Sequence, residues 1–350
     1  MDSASEEEEK FARLVLDMAV STMLAVLVYV AVKVSLDSVR HWRARVSLLI
    51  VGSGPVGLTA ALVAVRSRKV LNLTLLDERS RAALLGRPQQ IALDPRSVSF
   101  LLALGVDFDN MEGCWHNEHF FTKIGVFQEH LLSILEQCKR KLDIKILLGT
   151  KFTDDFLRKI PASDWPKIIV VADGSCGESS SVLGISSDYL VESCNAYGAN
   201  AALERPDQRQ IMKNIFHQSF NAYKTDLEPR VNDLTLHHLQ CSRKLFEIML
   251  SHRRVTAAFI EGSNVVVTVE GEAARMLNFD TGCGVNLGLR GLESSEEFIY
   301  RIATAVDQSD IFEALSAKIR HSKQVAEDFR QNGLYAAVFE RTCTVKQLED

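Results

Sequence analysis

The feature that most constrains this chain is a glycine pattern, G-x-G-x-x-G, that directly follows a short apolar run. The run is Val46–Val51, and the glycine pattern occupies residues 52–57. A continuous apolar run of this length is typical of a parallel strand buried on both faces. Residues 58–65 then have the composition of a helix, and a second apolar run, residues 70–76, leads to Asp77. The order of strand, turn, helix, strand and acid predicts a βαβ unit.

Each position of this unit has a mechanical role in a Rossmann-type fold. Gly52 permits the tight turn, Gly54 lets the backbone approach a pyrophosphate, and Gly57 lets the helix pack closely on the strand. The free N–H groups at the helix start attract phosphate. Asp77 lies 20 residues beyond Gly57, where a carboxylate accepts hydrogen bonds from ribose hydroxyls. The unit predicts a dinucleotide site and leaves open whether the ligand is FAD or NAD. The predicted contacts are Gly52, Ser53, Gly54, Pro55, Val56, Gly57, Asp77, Glu78 and Arg79.

Further motifs occur in three later segments. Residues 86–97 read G-R-P-Q-Q-I-A-L-D-P-R-S, and residues 167–174 read K-I-I-V-V-A-D-G. Residues 271–288 begin with G-E-A-A-R and end with G-C-G-V-N-L-G. In patches from about residue 46 to 292, the chain resembles the flavin monooxygenases and hydroxylases built like p-hydroxybenzoate hydroxylase. It is more distantly similar to the flavin domains of the MICAL proteins and of the squalene epoxidases. The resemblance implies FAD as the cofactor and NADPH or NADH as the reductant.

The resemblance also implies which residues contact FAD. Arg87 stands where the family has an arginine that reaches the flavin, and Gln128 stands at the arginine of an R-x-x-L segment. Asp173 and Gly174 match the family's A-D-G. The last segment of the family reads G-D-A-A-H, then P, then G-x-G-x-N-x-G. The matching positions of that segment are Glu272, Gly282, Gly284, Val285 and Asn286.

Three positions of the last segment depart from the family pattern. Glu272 replaces the aspartate, Phe279 stands where proline is usual, and Gly291 stands where an aspartate commonly follows. Glutamate keeps the charge but is one methylene longer, which shifts the expected contact to the flavin's ribityl chain. Two hypotheses therefore stay open. One is an FAD-dependent oxidoreductase, most simply an NAD(P)H-dependent monooxygenase, and the other is a non-catalytic membrane protein that keeps the scaffold and acts through interactions. No catalytic side chain follows from the sequence, because in such enzymes the flavin carries the chemistry.

An apolar run precedes the glycine pattern, at residues 14–32, and it contains one charge, Asp17. About 20 apolar residues cross a bilayer, and the run exceeds a signal-peptide core of about 7–15 residues. Glutamates precede it, whereas basic residues follow it between Lys33 and Arg45. The positive-inside rule then predicts a single-pass membrane protein whose main domain lies in the cytosol. A buried core helix is the alternative interpretation.

These predictions describe an α/β protein: a Rossmann-type FAD-binding domain with a reduced α+β substrate cap, one N-terminal transmembrane helix and a helical C-terminus. Apolar spacing predicts helices over 207–224 and 236–253, and a hairpin joins 255–260 to 265–269. The predicted segments are an acidic tail at 1–10, a transmembrane helix at 11–35, a basic linker at 36–45, the first part of the FAD-binding domain at 46–180, the cap at 181–264, the return segment of the FAD-binding domain at 265–295 and C-terminal helices at 296–350.

Composition bears on the possible partners. The formal net charge of −5 offers no basic field for nucleic acid. Seven cysteines without a C-x-x-C pair indicate reduced thiols rather than a disulfide frame or a zinc site. His237 and His238 lack a third ligand at a suitable spacing, so no metal site is predicted. Anchoring to a membrane favours a lipophilic small molecule or a protein as the substrate.

Overall fold

The computed structural model describes residues 2–87, 89–116, 118–161, 165–186, 188–194, 248–277 and 283–329. The chain divides into two compact units, Met1–Arg45 and Val46–Asp350. The predicted helix over 207–224 and the histidines 237 and 238 lie outside the described residues.

The first unit is a single helix, α1 (Asp2–Arg43), which extends beyond the predicted span of 11–35 at both ends. Met18–Leu36 is long and apolar enough to cross a membrane by length and composition, and none of it is buried. Leu24 and Leu27 are 62% and 57% exposed. The alternative of a buried core helix therefore finds no support in this unit.

The second unit contains the remaining elements. In chain order they are β1 (Val46–Val51), α2 (Pro55–Ser67), β2 (Val70–Asp77), α3 (Arg81–Leu85), β3 (Gln90–Leu93), α4 (Pro95–Ala103), β4 (Cys114–His116), β5 (His119–Lys123), α5 (Ile124–Cys138), β6 (Asp143–Leu148), α6 (Asp154–Lys159), β7 (Ile168–Val171), α7 (Ser179–Val182), β8 (Tyr189–Cys194), β9 (Ile248–Arg253), β10 (Ala257–Ile260), β11 (Val265–Val269), a 3-10 turn (Gly271–Ala273), β12 (Arg275–Leu277), α8 (Cys283–Leu292), α9 (Ser295–Thr304) and α10 (Gln308–Asp328).

The main sheet has six strands in the order β10-β11-β7-β1-β2-β6. All neighbouring pairs are parallel except β10 and β11, which are antiparallel. The predicted βαβ unit is thus confirmed, because β1 and β2 pair in parallel and α2 connects them. In register, Val51 lies opposite Leu76 and Val171, and Val171 lies opposite Val269. The residues that follow these strands therefore meet at one edge of the sheet, where open α/β folds bind ligands.

Both faces of the main sheet are covered. In β1, Leu48 and Ile50 belong to one apolar cluster, whereas Leu49 and Val51 belong to a second cluster on the opposite face. Burial on both faces explains why the strand reads as a continuous apolar run instead of an alternating one. Each such fully buried side chain contributes about 1.5–3 kcal/mol to folding.

Two small antiparallel sheets complete the described fold. One has the order β12-β9-β8 and the other the order β3-β5-β4. The predicted helix over 236–253 is wrong for residues 248–253, which form β9. Strand β9 pairs with β8 on one side and β12 on the other, and this pairing overrides the local helical spacing.

The predicted hairpin between 255–260 and 265–269 is confirmed, because β10 and β11 pair with Ile260 opposite Val265. Gly262 and Asn264 have φ values of +84° and +54° in the connecting turn. These are the residue types that adopt such values most easily. Strand β10 therefore lies in the main sheet, although it falls within the 181–264 range assigned from sequence to the cap.

Candidate functional site

The glycine turn after β1 contains three glycines. At two of them the neighbouring backbone leaves no room for a side chain, and at the third there is room. Gly52 has a φ of +103°, and an added Cβ would overlap the Ala172 carbonyl and lie 2.8 Å from the Asp173 nitrogen. A Cβ on Gly57 would overlap the Gly52 carbonyl oxygen. At Gly54, by contrast, a Cβ would meet no described atom within 4 Å. The middle glycine of the pattern therefore borders open space, as the approach of a pyrophosphate requires.

The start of α2 is open to an anion. Gly54 is the N-cap residue, so no side chain accepts hydrogen bonds from the first turn, and Pro55 occupies the first turn. Helix starts of this kind carry unpaired N–H groups and a partial positive charge, and both attract phosphate.

Val56 is one of the predicted cofactor contacts, and its side chain packs inside the protein. A Cβ on Gly288 would overlap Cγ2 of Val56, and a Cβ on Gly271 would lie 3.1 Å from that atom. These two glycines belong to the return segment, residues 265–295. Their contacts with Val56 place the return segment beside the glycine turn, as the resemblance implies.

Asp77 at the end of β2 is bound by the chain itself. Its Oδ2 accepts hydrogen bonds from the nitrogen and the Oγ of Ser53, at 2.7 and 2.9 Å. The backbone and side chain of Arg79 also donate to the carboxylate. Burial acts to raise the pKa of Asp77, but the hydrogen bonds from Arg79 and Ser53 outweigh it, so the pKa lies below its ordinary value. Asp77 is therefore an ionised acceptor.

Gln128 on α5 is fully buried next to the same turn. Its Nε2 donates to the Ser53 carbonyl at 3.0 Å. Its Oε1 is buried and accepts no hydrogen bond from a described residue. Buried polar atoms in native proteins normally have partners, and this acceptor is available to a water or a ligand bound beside the turn.

Arg87 is half-buried and forms no ion pair within the described part of the chain. Burial lowers the pKa of Arg87, the charge of Arg79 lowers it further, and the charges of Glu272 and Asp77 raise it. Arg79, Glu272 and Asp77 are themselves predicted site residues, so Arg87 lies close to the predicted site. A half-buried cation without a bonded carboxylate suits an anionic ligand.

A cavity of about 280 Å³ opens at this edge of the sheet, beyond the ends of β1, β2 and β7. Asp173 lies in it, with Oδ2 accepting from the Ser179 nitrogen at 3.0 Å and with Oδ1 buried and unpartnered among described residues. Gly174 has a φ of +87°. The cavity is lined by Val51, Gly52, Leu76, Asp77, Glu78, Arg79, Lys151, Phe152, Asp173, Cys176, Gly177, Glu178 and Ser179.

Eight of these lining residues were not predicted as site residues: Val51 and Leu76, which lie in β1 and β2, and six residues from later in the chain. The six follow β6 and β7, which lie on either side of the β1–β2 pair in the sheet. The available signal was their position directly after apolar strands, but the strand order is needed to place them at the site. The six are Lys151, Phe152, Cys176, Gly177, Glu178 and Ser179.

The return segment uses its polar residues in two ways. Glu272 is exposed, and a Cβ on Gly284 would lie 3.2 Å from its Oε1, so this carboxylate lies at the start of α8. Asn286 is buried, with Nδ2 donating to the Ala92 carbonyl and Oδ1 accepting from the Asp94 nitrogen. The oxygen and the nitrogen of the Asn286 side chain therefore both bind the junction of β3 and α4. Val285 is half-buried, whereas Gly282 and Phe279 lie outside the described residues.

A buried charged cluster lies behind the return segment and contains two cations and one anion. The Oε1 of Glu270 accepts from Lys318 at 2.7 Å, and its Oε2 accepts from Arg275 at 3.1 Å. Lys318 also donates to the Gly291 carbonyl and to the Ser295 hydroxyl, both at 2.9 Å. The cluster joins α8, α9 and α10 to the end of β11.

The described residues contain no group of three or more side chains suited to a metal ion. The sequence matches no known protein family and no curated protein.

Several solved structures show a distant similarity to this chain. A 2-methyl-3-hydroxypyridine-5-carboxylic acid oxygenase has a TM-score of 0.49 at 14% identity, over 84% of this chain and 94% of that chain. The tetracycline destructase Tet(55) has a TM-score of 0.49 at 11% identity, over 84% and 90%. The p-nitrophenol 4-monooxygenase PnpA from Pseudomonas putida DLL-E4 has a TM-score of 0.48 at 13% identity, over 81% and 88%. Similarity at this level assigns no function to the present chain.

Proposed function

We propose that the domain beginning at Val46 binds FAD and that the protein is a flavin-dependent oxidoreductase, in the first place an NAD(P)H-dependent monooxygenase. One observation carries this proposal. At the edge of the sheet where the ends of β1, β2 and β7 meet, the open space at Gly54 and the uncapped start of α2 lie beside a cavity that contains Asp77. This is the arrangement that the two halves of a dinucleotide require.

The residues present fit FAD in several respects. The N–H groups at the start of α2 and the half-buried Arg87 would hold the pyrophosphate. Asp77 would accept hydrogen bonds from the ribose, and the cavity beyond it would hold the adenine. The exposed Glu272 at the start of α8 would lie towards the ribityl chain. The contacts of Val56 with Gly271 and Gly288 support FAD over a simple NAD site, because they bring the return segment to the glycine turn.

When bound, the flavin supplies the redox chemistry, and NADPH or NADH is the reductant in this proposal. The role of the polypeptide is to bind and orient the cofactor and to exclude water from it. The buried cluster of Glu270, Arg275 and Lys318 fixes the return segment, so that Glu272 stays at the start of α8.

A non-catalytic scaffold is the second candidate, and one observation favours it. Among the described residues, Ser53 and Arg79 donate all the hydrogen bonds to the carboxylate of Asp77, and these donors satisfy the acid without a ligand. A protein acting through interactions would need no more than this closed arrangement.

The proposal includes a membrane anchor. The exposed apolar surface of α1 supports a single-pass span, and the basic residues after it support a cytosolic location for the main domain. A substrate at the membrane, either a lipophilic small molecule or a protein, would fit this location.

The decisive measurement is the visible spectrum of the full-length protein purified in detergent, with and without added FAD. We expect a bound flavin, and the absence of flavin even after addition would contradict the proposed oxidoreductase. Gly54→Val should abolish FAD binding and leave the urea midpoint nearly unchanged, because the added side chain enters open space. Ser67→Val, at the other end of α2, is the control and should bind FAD normally. If flavin is bound, consumption of NADPH or NADH in air decides between the enzyme and the scaffold.

A further inference from the structure

The carboxylate of Asp77 is saturated with hydrogen bonds. Oδ2 accepts from the nitrogen and Oγ of Ser53 at 2.7 and 2.9 Å, and from Nη2 of Arg79 at 3.1 Å. Oδ1 accepts from the backbone nitrogen and Nε of Arg79 at 2.9 and 3.0 Å. An ionised carboxylate offers about four lone-pair sites. These five donors therefore leave no acceptor for the ribose hydroxyls that the site would bind.

Of the five donors, those on the guanidinium are the most readily displaced. Ser53 is fully buried, and its carbonyl accepts a hydrogen bond from Gln128, so its donors are fixed by the turn. The side chain of Arg79 is 36% exposed, whereas that of Asp77 is 2% exposed. The guanidinium therefore covers the solvent side of the buried carboxylate, on the wall of the cavity.

We infer that Arg79 is a specificity residue of this site, which competes with the ribose of a nucleotide for the carboxylate of Asp77. The inference rests on the proposed binding of an adenine nucleotide. A ligand that offers two adjacent hydroxyls replaces the two donors of the guanidinium, whereas a ligand without them leaves Arg79 on Asp77. The site thereby selects for an intact ribose, and it is closed by its own arginine in the absence of a ligand.

The displaced guanidinium has other carboxylates near it. Arg79 is attracted by the charges of Glu78 and Asp173 as well as by that of Asp77. The Oδ1 atom of Asp173 accepts no hydrogen bond from a described residue. The arginine thus leaves Asp77 without leaving the cavity.

The test uses full-length protein in detergent and compares Arg79→Ala with the wild type by calorimetric titration. ADP is one probe, and 2′,3′-dideoxy-ADP, which lacks both hydroxyls, is the other. We expect Arg79→Ala to bind ADP about tenfold more tightly, since the competing donors are gone. The affinity for dideoxy-ADP should not increase. Arg79→Gln, which has fewer donors and no charge, should also bind ADP more tightly than the wild type and should bind dideoxy-ADP no more tightly.

Arg81→Ala is the matched control, because Arg81 is a nearby arginine paired with Glu129 and Glu136 outside the cavity lining. It should leave both affinities unchanged. Weaker binding of both probes by Arg79→Ala would show that the arginine contacts the phosphates. ADP binding equal to that of the wild type would show that Arg79 does not compete. Either result overturns this inference and leaves the proposed function standing. If the wild type and the variants bind neither ADP nor FAD, the proposed function is wrong and the inference falls with it.

Discussion

The guanidinium of Arg275 occupies the space that a side chain at Gly291 would need. A Cβ on Gly291 would overlap Nη2 of Arg275 and would lie 2.8 Å from Oε2 of Glu270. The absence of an aspartate at position 291, which departs from the resembled family, therefore has a packing reason. The anion beside Arg275 is instead Glu270, at the end of β11.

Gly291→Ala tests this relationship. Helix propensity alone predicts a gain of up to about 1 kcal/mol from alanine in place of glycine. Overpacking against Arg275 predicts a loss of about 1–3 kcal/mol, and we expect the loss to prevail in urea unfolding. Gly284→Ala in the same helix is the control, because its Cβ would meet only the flexible end of Glu272 at 3.2 Å. A Gly291→Ala protein as stable as the wild type would show that the guanidinium moves aside freely.

The buried cluster predicts an order of stability for two variants. Glu270→Gln leaves the buried Lys318 and Arg275 without their carboxylate, and uncompensated buried charge costs about 3–5 kcal/mol. Lys318→Met leaves Glu270 still paired with Arg275, so the loss in the free energy of unfolding should be smaller. Lys323→Met, at an exposed position of the same helix, should change stability by less than about 0.5 kcal/mol. A larger loss from Lys318→Met than from Glu270→Gln would contradict the role assigned to the carboxylate.

Strands β1, β2, β10 and β11 and the glycine turn were predictable from sequence because their signals are local, whereas β6 and the strand order were not predicted. Buried parallel strands read as apolar runs, and the pattern from Gly52 to Gly57 has a fixed place after the first of them. The cluster around Glu270 depends on chain segments about 50 residues apart. Its signal was only that Lys318 stands seven residues after Ile311, on the apolar face of α10, where a lysine needs a buried partner. Strand β9 was mistaken for a helix because its two partner strands are distant in sequence.

Stability should decrease when the pH falls from 7 to 5. Burial lowers the pKa of His321, which donates from Nε2 to the Arg290 carbonyl, and burial also lowers the pKa of His130. Below the ordinary histidine pKa of about 6.5, the unfolded chain binds protons that the folded chain does not. Protons therefore favour unfolding, and the loss grows until the pH reaches the folded pKa. His321→Gln, which removes one of these two titrating groups, should reduce the pH dependence of the urea midpoint. An unchanged slope between pH 7 and 5 in this variant would exclude His321 as the source.

The exposed apolar surface of α1 predicts that two charges near its middle abolish membrane association. Leu24→Arg with Leu27→Arg should release the protein in alkaline carbonate, because each arginine at the centre of a span costs about 2.5–3.5 kcal/mol. Leu71→Arg is the control, since Leu71 is a 55% exposed leucine on β2 in the other unit, and this variant should stay with the membrane.

In intact vesicles with the cytosolic face outward, added protease should digest the domain that begins at Val46. Protection of that domain would reverse the orientation inferred from the basic residues after the helix. Release of the wild-type protein by carbonate would show that α1 does not span the bilayer.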